Sequence, residues 1–331
     1  MPVLNTTNPT LADVASRLTP DGKVDPQIVE MLKETNEVLE DMTMIQANGF
    51  TEHKTTVRTG LPVGTWRKLN YGVPPEKSRT AQVKDSMGML ETYAEVDKAL
   101  ADLNDNSAAW RLSEDRAFVE GLNQTMAQTL FYGDSSLDPE RFMGLVPRYS
   151  SLAAENGQNI VDAGGTGNDN ASIWLVVWGP NTCHGIYPKG SYAGLQSRDL
   201  GEHTLFDAAG GRYQGYRTHY KWDLGLTLRD WRYAVRIANI DVSDLTKNAS
   251  AGADLIDLLT QAVEIPPNLG MGRATFYAPR KIRSFLRRQI TNKVANSTLT
   301  MDTVAGKQVV AFDGVPVRRT DALLLTEARV V

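Results

Sequence analysis

The side chains that chemistry would recruit are few and scattered. Cys183 sits beside His184, the residue types from which a thiol nucleophile and its base are built. Neighbours on a strand point to opposite faces, so these two cannot serve each other. His53, His184, His203 and His219 show no H-E-x-x-H or related ligand spacing, and no metal centre is expected. Gly164-Gly165-Thr166-Gly167 is the most glycine-rich loop. It lacks the Lys-Ser/Thr of a phosphate-binding loop, and the expected strand follows it rather than precedes it. No carboxylate stands in an apolar, glycine-framed setting that would raise its pKa. The segment 279–294 carries Arg280, Lys281, Arg283, Arg287 and Arg288; it fits phosphate or, better, a solvated or intersubunit face. No catalytic, cofactor-binding or metal constellation survives, and the chain reads as non-enzymatic.

Composition sets wider limits. The 331 residues are 41% hydrophobic and 22% charged, the balance of a soluble globular chain large enough for two or more units. No apolar run approaches the ~20 residues of a membrane span, and MPVLNTTNPTLADV has neither the basic start nor the apolar core of a signal peptide. A single cysteine excludes an intrachain disulfide and suggests a cytosolic product. The formal net charge of −4 argues against a whole-molecule grip on nucleic acid, leaving room for a local basic patch.

Positioning falls to the elements. The longest expected is a helix over 107–131, SAAWRLSEDRAFVEGLNQTMAQTLF, with Trp110, Phe118, Leu122, Met126 and Leu130 at multiples of four along one face. Asn106 or Ser107 caps its start and Gly133 with Asp134 ends it; at ~1.5 Å per residue it is a rod of roughly 37 Å. Before it, Asp25-Pro26 opens a helical stripe of Ile28, Met31, Leu32, Leu39, Met42 and Ile45 that stops at Gly49. Residues 51–59 and 80–96 alternate as two strands around LPVGTWRKLNYGVPPEKSR, a tip too rich in Gly, Pro and charge for a core. A two-stranded projection is marginal alone in water, so it needs a surface to lie on, the obvious one being another subunit, with Trp66 and Tyr71 as contacts.

Beyond the long helix, 173–178 is almost wholly apolar and reads as a strand buried on both faces. The stretch 211–241 reads as a long antiparallel pair. Residues 249–331 read as a separate lobe: a helix with Leu255, Ile256, Leu258, Leu259, Ala262 and Val263 inside, ended by Pro266-Pro267; a strand at 273–278; a helix opened by Pro279 with Ile282, Phe285, Leu286, Ile290 and Val294 on one face; and short strands, the last around 322–331.

In this order the parts resemble the major capsid proteins of tailed bacteriophages with the HK97-like fold. The likeness rests on an N-terminal arm, an extended loop, a long spine helix, the strand–Pro–helix unit ATFYAPRKIRSFLRRQ, the G-x-P-V element in AFDGVPVRRTDAL, and the segment SIWLVVWGPNTCHGIYPKGSYAGL. It implies an α+β chain divided into an arm (1–48), an extended loop (49–96), a peripheral domain with the spine helix 107–131 and long strands (97–248), and an axial-domain-like lobe (249–331). In the usual arrangement long peripheral strands follow G-x-P-V; here the comparable strands precede the lobe, and the expectation is the same parts wired in a different order.

The resemblance implies pentamers and hexamers tiling an icosahedral shell around double-stranded DNA held without specific binding. It implies assembly in the host bacterial cytoplasm, residence in the virion capsid, and as partners a portal, any separate scaffold or decoration protein, and no membrane. The candidate intersubunit contacts are Trp66, Lys68, Tyr71, Lys77 and Arg79 on the projection and Arg283 and Arg287 on the basic helix. No Lys–Asn–carboxylate triad matches, so no covalent cross-links are expected. The alternatives are an encapsulin-like compartment of the same fold and a Cys183-dependent hydrolase.

Overall fold

The computed structural model describes residues 34–102, 107–207, 209–246, 252–292, 299–304 and 307–331. Its opening differs from the expected arm helix. Among the described residues of the arm only α1 (Val38–Asp41) is helical, and β1 (Met44–Gln46) follows at once, so Met42 and Ile45 lie off that helix. Ile28, Met31, Leu32 and the Asp25-Pro26 start lie outside the described residues. The reason for the switch is a partner: β1 pairs in parallel with the strand at 183–187, Met44 opposite Gly185. A Cβ on Gly185 would stand 2.6 Å from the Met44 sulfur and 2.9 Å from that of Met42. Glycine lets these two thioethers lie directly on the strand.

The hairpin forms as its alternation predicts. β2 (Glu52–Gly60) and β3 (Arg79–Asp97) pair antiparallel from Glu52 opposite Ser86 outward. The 19 residues of β3 reach about 60 Å at ~3.3 Å each. Asp97 caps the short α2 (Lys98–Ala101), accepting a hydrogen bond from Ala99 N at 2.8 Å. The spine helix α3 runs Ser107–Tyr132; its proposed cap Asn106 and the side chain of Trp110 lie outside the described residues. Leu122, Met126, Ala127, Leu130 and Phe131 are buried, while Leu112 and Val119 in its first half are exposed. Among the described residues the helix is most deeply embedded in its second half. There Gly133 ends it, where a Cβ would meet the Phe142 carbonyl at 2.5 Å.

A short helix, α4 (Leu145–Arg148), leads to β4 (Ile160–Asp162) and then β5 (Asn170–Trp178), in which every residue is buried. β5 is the partition of the molecule. Ala171, Ile173 and Leu175 face one core, and Trp174, Val176 and Trp178 face the other, which includes the end of the spine helix. Period-2 alternation with two apolar faces gives the continuous apolar run that marks such a strand.

Three strands follow: β6 (Cys183–Tyr187), β7 (Gln196–Phe206) and β8 (Arg212–Leu228), with β9 (Ala234–Asp241) after a tight turn at Trp231–Tyr233. The expected antiparallel pair within 211–241 is not made. β8 pairs with β7, β3 and β6, whereas β9 pairs with β5 and β4. Within 211–241, β8 pairs with β3 of the hairpin, whereas β9 pairs with β5 and β4 and packs in the core beneath the lobe.

In that lobe α5 (Leu255–Glu264) is capped by Asp254, whose carboxylate accepts from Ile256 N and Asp257 N. Then come β10 (Arg273–Ala278), α6 (Arg280–Asn292), β11 (Leu299–Val304), β12 (Lys307–Phe312) and β13 (Val315–Arg319). Asp313 and Gly314, at φ 49° and 74°, make the two-residue turn between β12 and β13, the turn that Asp-Gly favours. The lobe is not separate: β10 pairs with β5, so one hydrogen-bonded path runs β11-β12-β13-β10-β5-β6-β8-β3-β2.

The last expected strand, around 322–331, is irregular, held by a single bridge between Asn170 and Glu327. Side chains fix it instead. Buried Arg236 donates to Glu327 (2.9 Å), Ser172 Oγ (3.1 Å) and the Tyr149 carbonyl (2.7 Å). Tyr132 and Ser172 also bond the Glu327 carboxylate. Asn239 closes both ends of a pair with the Val330 backbone, 2.8 and 2.9 Å. A spine-helix residue, two central strands and the C-terminal segment are thus tied at one point.

Candidate intersubunit surfaces

Outside the two cores, the projecting hairpin is the most conspicuous surface. Between β2 and β3, residues 61–78 carry no helix or strand, and Leu61, Val63, Leu69, Tyr71 and Val73 are all more than half exposed. Trp66 is 100% exposed, so it does not fold back on its own strands. Lys68, Lys77 and Arg79 are exposed beside it. The tip keeps a local order of its own: Tyr71 N donates to the Lys68 carbonyl at 3.2 Å across Asn70 at φ 65°, and Val63 N donates to Glu76 at 2.5 Å. Arg283 and Arg287 lie on another surface, in a groove of α6 with Arg280, Ser284, Arg288 and Arg319.

The root of the hairpin is polar and buried. His53 on β2 lies opposite Asp85 on β3, and its ring meets that of His184 on β6 edge-on, centroids 6.1 Å apart. Arg148 from α4 donates to Asp85 at 2.9 Å and to the Leu226 carbonyl at 3.1 Å. Asn48 N donates to His53 Nδ1 at 3.2 Å, a bond that requires the neutral ring. Burial, then the positive charge of Arg229, pull His53 below the usual histidine range. The same two causes, with His53 itself, pull His184 down to about 4. Both rings are neutral near pH 7, and no sequence pattern announced the cluster. His53 and His184 meet although their strands lie far apart in the chain.

Cys183 points the other way, into the second core, and is wholly buried. Burial pushes its thiol up to about 12. A protonated thiol sealed from solvent is no nucleophile. The Gly164–Gly167 loop packs against its own chain, with Gly165 N donating to the Asn239 carbonyl at 2.8 Å and Asn170 to that of Gly167 at 2.6 Å. Among the described residues no group of three or more His, Cys, Asp or Glu is placed to hold a metal, and no helix is long and apolar enough to cross a membrane. What the molecule offers to the outside is shape, charge and an apolar tip.

Comparison with known proteins places those surfaces in a class. The family of major capsid protein GP7 matches residues 19–331. A chain of the near-atomic-resolution cryo-EM structure of bacteriophage Epsilon15 is 38% identical, covering 100% of this chain and 99% of its own length, with a TM-score of 0.78. The capsid of bacteriophage JBD30, at 10% identity over 95% of this chain and 98% of its own, has a TM-score of 0.51 and supports the fold alone. Comparison with curated protein sequences finds no match. The chain belongs to the GP7 family of bacteriophage major capsid proteins, and its mixed helix-and-sheet architecture is the HK97-like capsid fold.

Proposed function

We propose that this chain tiles an icosahedral shell as pentamers and hexamers, assembled in the host bacterial cytoplasm and enclosing double-stranded phage DNA. The observation that carries the reading is the hairpin. A strand pair roughly 30 Å long, nine residues of β2 against the first part of β3, ends in Leu61, Val63, Trp66, Leu69, Tyr71 and Val73, all exposed. Scattered apolar side chains on a surface need no explanation, but a contiguous group on a projection marks an interaction site. Neighbouring subunits supply the cover, with Trp66, Lys68, Tyr71, Lys77 and Arg79 as contacts. Closed symmetry then multiplies each weak contact around the shell.

The arm, loop, peripheral and axial divisions at 1–48, 49–96, 97–248 and 249–331 are retained as the working frame of such a subunit. DNA is held by confinement, in keeping with a net charge of −4. A portal and any scaffold or decoration protein are separate chains. Negative-stain electron microscopy with sedimentation tests the reading on purified material. Closed shells, rings of five or six, or tubes are expected, with nuclease-protected DNA in particles from infected cells. A monodisperse monomer that never assembles, even with its scaffold present, sinks it; shells that hold a protein cargo instead of DNA redirect it to an encapsulin-like compartment.

A further inference from the structure

The groove of α6 is a second exposed surface, and its chemistry is the reverse of a core. The helix carries Arg280, Lys281, Arg283, Arg287 and Arg288 and no acid, in a chain whose net charge is −4. Arg280, Arg283, Arg287, Arg288 and, from β13, Arg319 line one concavity with Ser284. Part of this charge is balanced within the chain: Arg280 pairs with Asp321 at 2.6 Å, and Arg319 lies 4.0 Å from the same carboxylate. Arg283 is half-buried, and its Nε has no hydrogen-bond partner among the described residues. Burial lowers its pKa, Glu37 opposes this, and Arg287, Arg319 and Arg318 lower it again. Guanidinium groups gathered in this way favour a carboxylate or phosphate beside them.

A neighbouring concavity continues the surface and adds an apolar floor. Phe285, Leu323 and Leu325 lie there beneath Arg280, Lys281 and Arg288. Bare phosphate has no use for that floor. The complement is an apolar side chain set among carboxylates, and the chain itself carries one. In Asp134-Ser135-Ser136-Leu137-Asp138-Pro139-Glu140, Leu137 is 80% exposed with three carboxylates within three residues of it and no base. No other exposed large hydrophobic among the described residues has that setting. The loop is already folded for presentation: Asp138 N donates to the Asp134 carbonyl at 2.9 Å and Arg141 N to that of Asp138 at 2.9 Å. Its one internal ion pair, Arg141 to Asp138 at 3.5 Å, is exposed on both sides and readily exchanged.

We propose that the arginine-lined groove of α6 receives the acidic Leu137 loop of a second copy of this chain. Leu137 covers Phe285, Leu323 and Leu325, and Asp138 and Glu140 meet Lys281 and the guanidinium groups. Donor and acceptor lie on different patches of one subunit, so the contact is head-to-tail and propagates around a ring. The inference rests on the coat-protein reading and adds to it the contact that joins subunits.

The test uses wild-type shells treated with a zero-length carbodiimide, which joins a lysine amine to a carboxylate as an amide and is itself converted to a urea by the water removed. Peptide mass spectrometry is expected to find Lys281 joined to Asp138 or Glu140 between copies, in shells and not in dissociated subunits. Arg287→Glu, checked for folding by its unchanged thermal transition, is expected to lower shell yield by more than about tenfold. Asp138→Arg introduced with it is expected to restore part of that yield. Shells in which Lys281 joins only other carboxylates, or none, overturn the contact and leave the coat reading standing. So does an Arg287→Glu chain that assembles normally but loses nuclease-protected DNA, which assigns the groove to phosphate. A chain that forms no shell at all overturns both.

Discussion

Trp66 and Trp174 are the same residue in opposite conditions, one 100% exposed at the tip of the hairpin and the other 0% exposed in the central strand. Around Trp174 each apolar side chain has a neighbour. Phe131 and Tyr149 pack on it at ring separations of 6.4 and 5.7 Å, and the Arg236 guanidinium lies 5.4 Å from its ring centre. Around Trp66 no described residue packs. The comparison separates two kinds of hydrophobic investment. The β5 core stabilises the subunit before any assembly, whereas the tip is exposed in the subunit and, on the proposed reading, gains its burial from a second copy. Subunit stability and shell stability are therefore written in different residues and can be changed independently.

The largest expected effect lies at the clamp of the central strands. Arg236→Ala leaves the Glu327 carboxylate buried without its cation, and the Ser172 hydroxyl and Tyr149 carbonyl lose a donor. Breaking a buried pair from one side costs about 3–5 kcal/mol. Urea unfolding of the dissociated subunit is expected to show a loss of that size, with release of the C-terminal segment to proteases. A loss below about 1 kcal/mol would mean that the network adds little beyond its packing.

A smaller effect lies at the hairpin root and depends on pH. His53 and His184 bind protons less readily folded than unfolded. Their contribution is fully present above the unfolded value of 6.5 and is lost as pH falls towards about 4, where His184 titrates. For His184 the loss is at most about 3 kcal/mol. Protonation of His53 also removes the acceptor of the Asn48 N–H. Hydrogen exchange between pH 7.5 and 4.5 is expected to show β2 losing protection while β5 keeps it. The double variant His53→Gln, His184→Gln should flatten that dependence; an unchanged slope would place the acid sensitivity elsewhere.

Trp66→Ala gives the smallest change in the isolated subunit, within about 0.5 kcal/mol, as for a surface site that touches nothing. Its effect is expected in assembly, as a higher subunit concentration for shell formation by light scattering. A Trp66→Ala subunit that melts several degrees lower would show the tip packing on its own chain in solution.

Much of this was legible residue by residue. The hairpin strands, the spine helix, the doubly buried β5 and the Pro279-opened α6 all follow from local periodicity and from Gly and Pro chemistry. The ordered set of these parts already pointed to the capsid fold. Strand alternation set Cys183 and His184 on opposite faces, and in the structure Cys183 enters the second core while His184 meets His53. The arm read as helical through Ile45, yet Met44–Gln46 is a strand, because an open edge of β6 outweighed local propensity. The 322–331 strand failed for the opposite reason: its backbone found one bridge, and Glu327 and Asn239 supplied the rest through side chains.

The sequence by itself determined which segments extend, which coil into helices, and that one long strand pair leaves the body with apolar residues at its tip. These depend on neighbours a few positions apart. Only the tertiary structure decided that β8 and β9 part company across the two cores, that His53, Asp85, Arg148 and His184 share one buried root, and that β13 and α6 gather arginines into one groove. Each joins residues far apart in the chain, and such pairings are settled by which faces must be buried together, not by any local pattern.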